Sequence, residues 1–303
     1  MNESSTDGFL RTTHCDSVAE FLRCLNRREG PLSNGLPDAW IYRGHNEESY
    51  QLIPSALRPK GEFQEIAGWD AELNGDQIWA ERTMLKDFFL RADRISLQLP
   101  EDSQALRRLL ENDDESATWP SEQLLSLMAL AQHHGVPTRL LDWSRNPLKA
   151  AHFAAQHGQE ERLCVWAFSL LHHDLSHFAQ RLGKMRLPYE LVTAPGATNS
   201  NLGAQEGVFT IAHADLDSSG SIDRRPFNEI VRQWLLDMKA ESTPETFQRV
   251  TLPRSLAPQL LRELEIEGVT RATLFPNFYG VVEAMKQSGR YRSSSPPSSL
   301  NQL

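Results

Sequence analysis

Arg43 stands inside an apolar, strand-like run, Trp40-Ile41-Tyr42-Arg43-Gly44-His45. Burying part of a guanidinium is costly unless it is paired. A strand-borne arginine beside a glycine suits recognition of a carboxylate or phosphate, because its planar fork can donate twice and the missing side chain lets a ligand or a backbone come close. Asp142, within Arg139-Leu140-Leu141-Asp142-Trp143-Ser144, is the matching acid. It reads either as a site carboxylate or as half of an internal salt bridge to Arg139 or Arg43 that buttresses a sheet. Gln205-Glu206 close a Gly/Asn/Ser-rich stretch and lead into Gly207-Val208-Phe209. A polar pair where a loop meets a strand is either a place for catalytic groups or a solvated strand start.

Other constellations carry less. Asp215 to Asp223, DLDSSGSID, imitates a calcium loop, with Asp215, Asp217, Ser219 and Gly220 at the first, third, fifth and sixth positions. Its twelfth position is Pro226 where a bidentate glutamate is needed, so a plain turn is expected. His133 and His134 are adjacent and diverge by about 100° on a helix, which prevents an easily shared metal. The chain has no P-loop, GxGxxG or GxSxG motif, and no metal site is expected.

The elements that must position these residues are legible in outline. Asp16 to Asn26 reads as an N-capped amphipathic helix with Val18, Phe21, Leu22 and Leu25 on one face. Strands are expected from Ala39 to Tyr42, Arg139 to Trp143, Leu163 to Phe168 and Gly207 to Ala212, and long helices over Gln77 to Leu97 and Ser121 to His134. Gly135 and Pro137 stop the second of these helices. Asn146-Pro147 opens the next, with asparagine as N-cap and proline in the first turn. Leu182 to Gln205 lacks periodicity and reads as a loop or lid. Ser255 to Glu267 and Asn277 to Lys286 read as the last helices, before a Ser/Pro-rich tail.

The 303 residues are 40% hydrophobic and 23% charged, in the range of a globular protein able to bury a sizeable core. No apolar run reaches the length of a membrane span, and the polar N-terminus predicts no secretory leader. The three cysteines are scattered, which points to a reducing, cytoplasmic setting. The net charge of -9 disfavours nonspecific binding to nucleic acid backbone.

At these residues the chain resembles the FRG domain family, named for a Phe/Tyr-Arg-Gly motif that is Tyr42-Arg43-Gly44 here. The family's central block resembles Gln132-His133-His134-Gly135-Val136-Pro137-Thr138-Arg139-Leu140-Leu141-Asp142-Trp143 with Asn146-Pro147-Leu148, Ala151 and Phe153-Ala154. Its later elements resemble Gln205, Gly207 and Phe209, and then Phe275-Pro276 and Gly280. The resemblance implies a single FRG-type domain over residues 1–286 with a disordered tail over 287–303, in a family whose members recur in bacteria and phage-linked gene neighbourhoods.

A more distant similarity is to ADP-ribosyltransferases. Many of these carry an arginine-glycine pair on a first strand, a Ser-Thr-Ser strand leading into an Asn-Pro helix, and a glutamate at the start of a third strand. Tyr42-Arg43-Gly44, Asp142-Trp143-Ser144 with Asn146-Pro147, and Gln205-Glu206 are similar in that order, with only the last serine of the second element kept. The similarity implies an α+β fold with a mixed, split central β-sheet flanked by helices, and NAD as substrate. Arg43 would hold a phosphate, Gly44 the nicotinamide amide, Ser144 the ribose, and Glu206 with Gln205 the ribose and acceptor. The acceptor, protein or nucleic acid, is not specified. The implied role is that of a bacterial defence or toxin effector. The rival readings are a noncatalytic nucleotide- or ligand-binding module, a protein-interaction domain with Arg43–Asp142 as a core ion pair, and a nuclease, for which clustered metal ligands are missing.

Overall fold

The apolar run around Arg43 alternates between two buried faces, as a strand covered on both sides must. In the computed structural model, Trp40 and Tyr42 pack into one core cluster and Ile41 into another. The structure describes residues 2–5, 9–30, 32, 39–68, 70–111, 118–171, 187–193, 200–215, 220–237 and 246–293. Its strands are β1 (Asn2–Ser5), β2 (Leu10–His14), β3 (Trp40–His45), β4 (Thr118–Trp119), β5 (Leu141–Ser144), β6 (Arg162–Ser169), β7 (Glu190–Val192), β8 (Gly207–Ile211), β9 (Ala214–Asp215) and β10 (Phe247–Pro253). Eight of them form one sheet in the order β1-β2-β10-β6-β3-β5-β8-β7, and β4 pairs with β9. Only the β2–β10 pair is parallel, so the fold is α+β with a mixed sheet.

The helices are α1 (Val18–Cys24), α2 (Glu62–Ala67), α3 (Asn74–Arg94), α4 (Gln104–Glu111), α5 (Leu125–His133), α6 (Pro147–Ala154), α7 (Ser200–Ala204), α8 (Phe227–Asp237), α9 (Ala257–Ile266), α10 (Arg271–Leu274) and α11 (Phe278–Ser293). One face of the sheet packs Tyr42, Val165 and Val250 against Phe21 of α1, the alanines of α6 and Leu260 of α9. The other face packs Trp143, Trp166, Phe168 and Phe247 against Phe227 and Val231 of α8. A further cluster joins Leu85 and Phe89 of α3 to Leu127 and Met128 of α5 and Phe209 of β8.

Local chemistry explains the ends of the elements nearest the site. Asn146 is the N-cap of α6, with its side chain accepting from Leu148 N at 3.0 Å, and Pro147 follows in the first turn. Gly135 has φ +90° just past α5, a left-handed conformation that favours glycine. The N-cap of α1 is Ser17, which accepts from Glu20 N, one residue later than the aspartate at the head of the predicted helix. The stretch expected as a loop, Leu182 to Gln205, contains β7 and α7, and its residues 182–186 and 194–199 lie outside the described part. α11 continues to Ser293, past the start of the expected tail, and 294–303 lie outside the described part. Residues 216–219 of the calcium-like turn lie outside it too; Asp223 accepts from its neighbour Arg225 at 2.7 Å.

Gly44 owes its identity to packing. A Cβ there would meet Ala150 O at 2.0 Å and Ala154 N at 2.6 Å, both of the α6 backbone, which cannot swing away as a side chain can. Gly44→Ala should therefore destabilise at or above the top of the roughly 1–3 kcal/mol range for overpacking. A thermal melt within a degree of wild type would show that α6 sits farther from β3 than described.

Candidate functional site

The sheet is split between β3 and β5. β3 pairs with β6 along its whole length, from Trp40↔Ser169 to His45↔Cys164, and β5 pairs with β8 from Leu141↔Thr210 to Ser144↔Gly207. Between β3 and β5 the only pair is Tyr42↔Ser144. The hydrogen-bonding sense follows from one contact: Leu170 N donates to Ala39 O at 2.7 Å, so odd-numbered residues of β3 turn their peptide groups to β6 and even-numbered ones turn theirs to β5. The N–H and C=O of Gly44 thus face the gap, beyond the last β3–β5 pair.

Arg43 spans this gap. Its Nη1 donates to the Asp142 carbonyl at 2.7 Å and to the Asp142 carboxylate at 2.5 Å, and its Nε donates to His45 Nε2 at 3.0 Å. Its Nη2 has no acceptor among the described residues. His45 Nδ1 lies 3.0 Å from Tyr50 O, so the neutral ring carries its proton there and accepts from Arg43. Gln132 Nε2 donates to the Asp142 carboxylate at 3.3 Å, and Thr138 Oγ1 donates to the Gln132 amide oxygen. Arg43 is 12% exposed and Asp142 62%, so the pair has a buried root and an open acid. Surrounding protein would raise the Asp142 carboxyl, but the charge and hydrogen bond of Arg43 outweigh this and hold it below the ordinary carboxylate range.

Burial, and then the Arg43 charge, push His45 down to about 3. A histidine held neutral this way contributes stability that is complete above its unfolded value of about 6.5 and is lost as pH falls toward 3. Between those limits the loss is about 1.4 kcal/mol per pH unit. His45→Asn should therefore flatten the fall in urea-unfolding free energy between pH 6.5 and about pH 5 relative to wild type. Parallel slopes for the two proteins would mean that His45 is not buried neutral.

A cavity of about 290 Å³ opens on the split. Tyr42, Arg43, Gly44, Asp142, Ser144 and Gln205, all singled out in the sequence, line it together. Its apolar wall comes from Phe153 of α6, Phe209 of β8 and Phe275, with Phe153 and Phe275 edge to face at 6.1 Å. Gln132 and His133 of α5 complete the polar side, and Asn201 lies 2.8 Å from His133 Nε2. Phe275 is held by the turn before α11, where a Cβ on Gly280 would meet Phe275 O at 2.0 Å. Gln132, His133, Phe153 and Phe275 are site residues that chemical reasoning on single residues missed. The signal for three of them lay in the motif block itself, and for Phe275 in the Phe-Pro-x-x-x-Gly element.

Two of the selected residues stand elsewhere, and two are spent on structure. Arg139 does not meet Asp142; its Nε donates to both oxygens of Glu81, at 2.9 and 2.7 Å, in the core under α3. Glu206 has φ +50° and sits off the cavity wall, 44% exposed, 2.8 Å from Lys149 Nζ and 3.3 Å from Asn146 Nδ2. Partial burial would raise its carboxyl, but the Lys149 and Asn146 hydrogen bonds hold it below the usual range. Ser144 Oγ donates to Gln205 O at 2.7 Å and accepts from Asn146 N at 3.0 Å, so its hydroxyl clasps the loop before β8 to the head of α6. The Gln205 side-chain amide donates to Leu274 O at 3.2 Å.

Residues 38–162 match the FRG domain family model. The chain carries an FRG domain. No curated protein and no solved structure matches it. The matched segment runs from just before β3 to the first residue of β6 and so includes both banks of the split, while Gln205, Phe209 and Phe275 come from beyond it. Among the described residues, no group of three or more His, Cys, Asp or Glu side chains could hold a metal, and no helix is long and apolar enough to cross a membrane.

Proposed function

We propose that the FRG domain cavity binds the nicotinamide end of NAD, and that the chain is an ADP-ribosyltransferase-like enzyme acting on a protein or nucleic-acid acceptor, in the setting of bacterial defence or toxicity. One observation carries this reading: the Gly44 N–H and C=O face the split beside an aromatic wall. A primary carboxamide donates and accepts at once, which matches the two edges of one peptide residue. Phe153 and Phe275 supply the apolar faces that a flat ring needs. The cavity lies at the small end of the roughly 300–1,000 Å³ usual for such sites, so it suits the nicotinamide and ribose while the rest of the dinucleotide extends outward. Two of the three motif elements lie on the adjacent strands β3 and β5, and the third, Gln205-Glu206, immediately precedes β8, the next strand of the sheet.

In such a transfer the bond between the ribose carbon and the nicotinamide nitrogen breaks, and nicotinamide leaves with the electron pair. A lone pair of the acceptor forms the new bond at the same carbon, and the acceptor's proton passes to a base. Positive charge builds on the ribose, so a fixed carboxylate nearby stabilises the transition state. Asp142 is the carboxylate in the cavity, and the hydrogen bonds from Arg43 and Gln132 fix its position. Arg43 Nη2 is left for a ligand phosphate or ribose oxygen. Glu206, beside the cavity-lining Gln205 and Gly207, would orient the acceptor and take its proton. The assay is nicotinamide release from NAD by the purified chain with cell extract as acceptor source. Turnover should depend on Asp142 more than on Glu206; turnover untouched in both Asp142→Asn and Glu206→Gln would remove the proposed chemistry.

A second reading, a noncatalytic nucleotide-binding module, draws on a different observation: the Ser144 hydroxyl and the Gln205 amide are already engaged within the protein. It predicts NAD binding without nicotinamide release under any acceptor.

A further inference from the structure

A second cavity, of about 540 Å³, lies between α9, α11 and the turn after α6. It touches the first through one stacked pair: Arg271, on its wall, lies with its guanidinium carbon 4.2 Å over the ring of Phe275, which lines the first cavity. Three cations line it, Arg254, Arg271 and Lys286, against one carboxylate, Glu283, which lies 2.7 Å from Lys286. In a chain of net charge -9 this is a local reversal of sign. Neither arginine is paired with a carboxylate among the described residues. Arg254 spends Nε on Glu160 O at 3.0 Å and Nη1 on Gln156 O at 2.8 Å, while its buried Nη2 has no hydrogen-bond partner among the described residues. Arg271 gives its face to Phe275 and has no hydrogen-bond acceptor among the described residues. A guanidinium stacked on an aromatic ring keeps its N–H edge for an acceptor in its own plane. Pro258 and Leu261 form an apolar strip along the same wall.

We propose that this second cavity is a binding site for a phosphate-bearing small molecule, with Arg271 and Lys286 on the phosphate and Pro258 and Leu261 against its organic part. Arg271 and Lys286 line the cavity with a single carboxylate, Glu283, which lies beside Lys286, so the excess positive charge is on the Arg271 side and suits an anion there; charge-assisted hydrogen bonds from a guanidinium are the strong kind. The apolar strip distinguishes the site from a bare anion patch. The buried His152 feels the Arg271 charge; burial and then that charge push it down to about 4, so at neutral pH it is uncharged and the positive charge of the site is that of its arginines and lysine. This assignment does not depend on what the first cavity holds.

Titration of the full chain with inorganic pyrophosphate, followed by calorimetry, tests it. Wild type should bind one equivalent, and the Arg271→Gln/Lys286→Gln variant should bind at least about tenfold more weakly. Arg91→Gln, at an exposed arginine of α3 that lines neither cavity, should bind as wild type does. If the double variant melts early, Lys286→Gln alone, on a side chain that is 59% exposed, carries the same comparison. Absence of binding by wild type, an unchanged affinity in the Lys286 variants, or an equal loss of binding in Arg91→Gln, which would mark a nonspecific charge effect, each overturns the proposal. So does capture by anionic phospholipid vesicles in the absence of any binding of free pyrophosphate.

Discussion

Arg139→Met is expected to lower the free energy of unfolding by about 3–5 kcal/mol, the scale for breaking a buried ion pair from one side. Arg139 and Glu81 are 5% and 3% exposed, and Glu81 also accepts from Trp119 Nε1 at 2.7 Å and from Gln77 Nε2 at 2.8 Å. The carboxylate thus gathers α3, the strand β4 and the segment leading into β5 around one buried charge. Without the guanidinium, that charge keeps only two neutral donors in a dry site. The cost should come from the orphaned acid, so Arg139→Met with Glu81→Leu should recover most of it, as apolar replacement of a whole buried pair does. Urea denaturation of the three proteins decides this. A single variant within about 1 kcal/mol of wild type would show that water reaches the pair.

Asp142→Asn is expected to have the largest effect on activity. It keeps the shape and a hydrogen-bonding oxygen but removes the negative charge that the proposed chemistry puts beside the ribose carbon. One preorganised electrostatic contact is worth about 2–4 kcal/mol of transition-state stabilisation, a loss of roughly thirtyfold to a thousandfold in turnover. On the proposed reading NAD affinity should change much less, because Gly44 would hold the carboxamide. Glu206→Gln should cost less than Asp142→Asn, since Glu206 lies on the rim with Lys149 beside it. The reverse order would move the reacting carbon toward β8.

Much of the site could be read from residue types, and the reason is energetic. A guanidinium in a strand with two buried faces must have a partner, and the acid two residues before Ser144 on the next strand was one of the few within reach. The sequence left Arg139 and Arg43 as equal candidates for that partner. Only the packing of α3, which brings Glu81 beneath residue 139, separates them. Gly44 was legible as a point of close approach, but whether to a ligand or to a backbone depended on α6; the structure shows that its Cα faces the helix backbone while its peptide edges face the split. The long helices and the central strands carry strong periodicity and lie within a few residues of their expected bounds. The strands at both ends of the chain, β1, β2 and β10, were not anticipated. Leu10-Arg11-Thr12-Thr13-His14 carries little apolar signal and becomes a strand between β1 and β10, the latter a parallel partner 237 residues away in sequence. Phe275 reaches the cavity through a turn packed against Gly280; the Phe-Pro-x-x-x-Gly element marks that turn but not the cavity its phenylalanine lines.

The most direct test is to compare, by calorimetric titration, the affinity of the chain for NAD with that for its analogue bearing a carboxylate in place of the carboxamide. The Gly44 N–H and C=O form a donor and an acceptor side by side, and a carboxylate cannot donate to the carbonyl. A carbonyl left facing a second acceptor costs about 1–3 kcal/mol, so NAD should bind about tenfold or more tightly than the acid. Equal affinities, or no binding of NAD at all, would contradict the assignment of the split between β3 and β5 as a nicotinamide site.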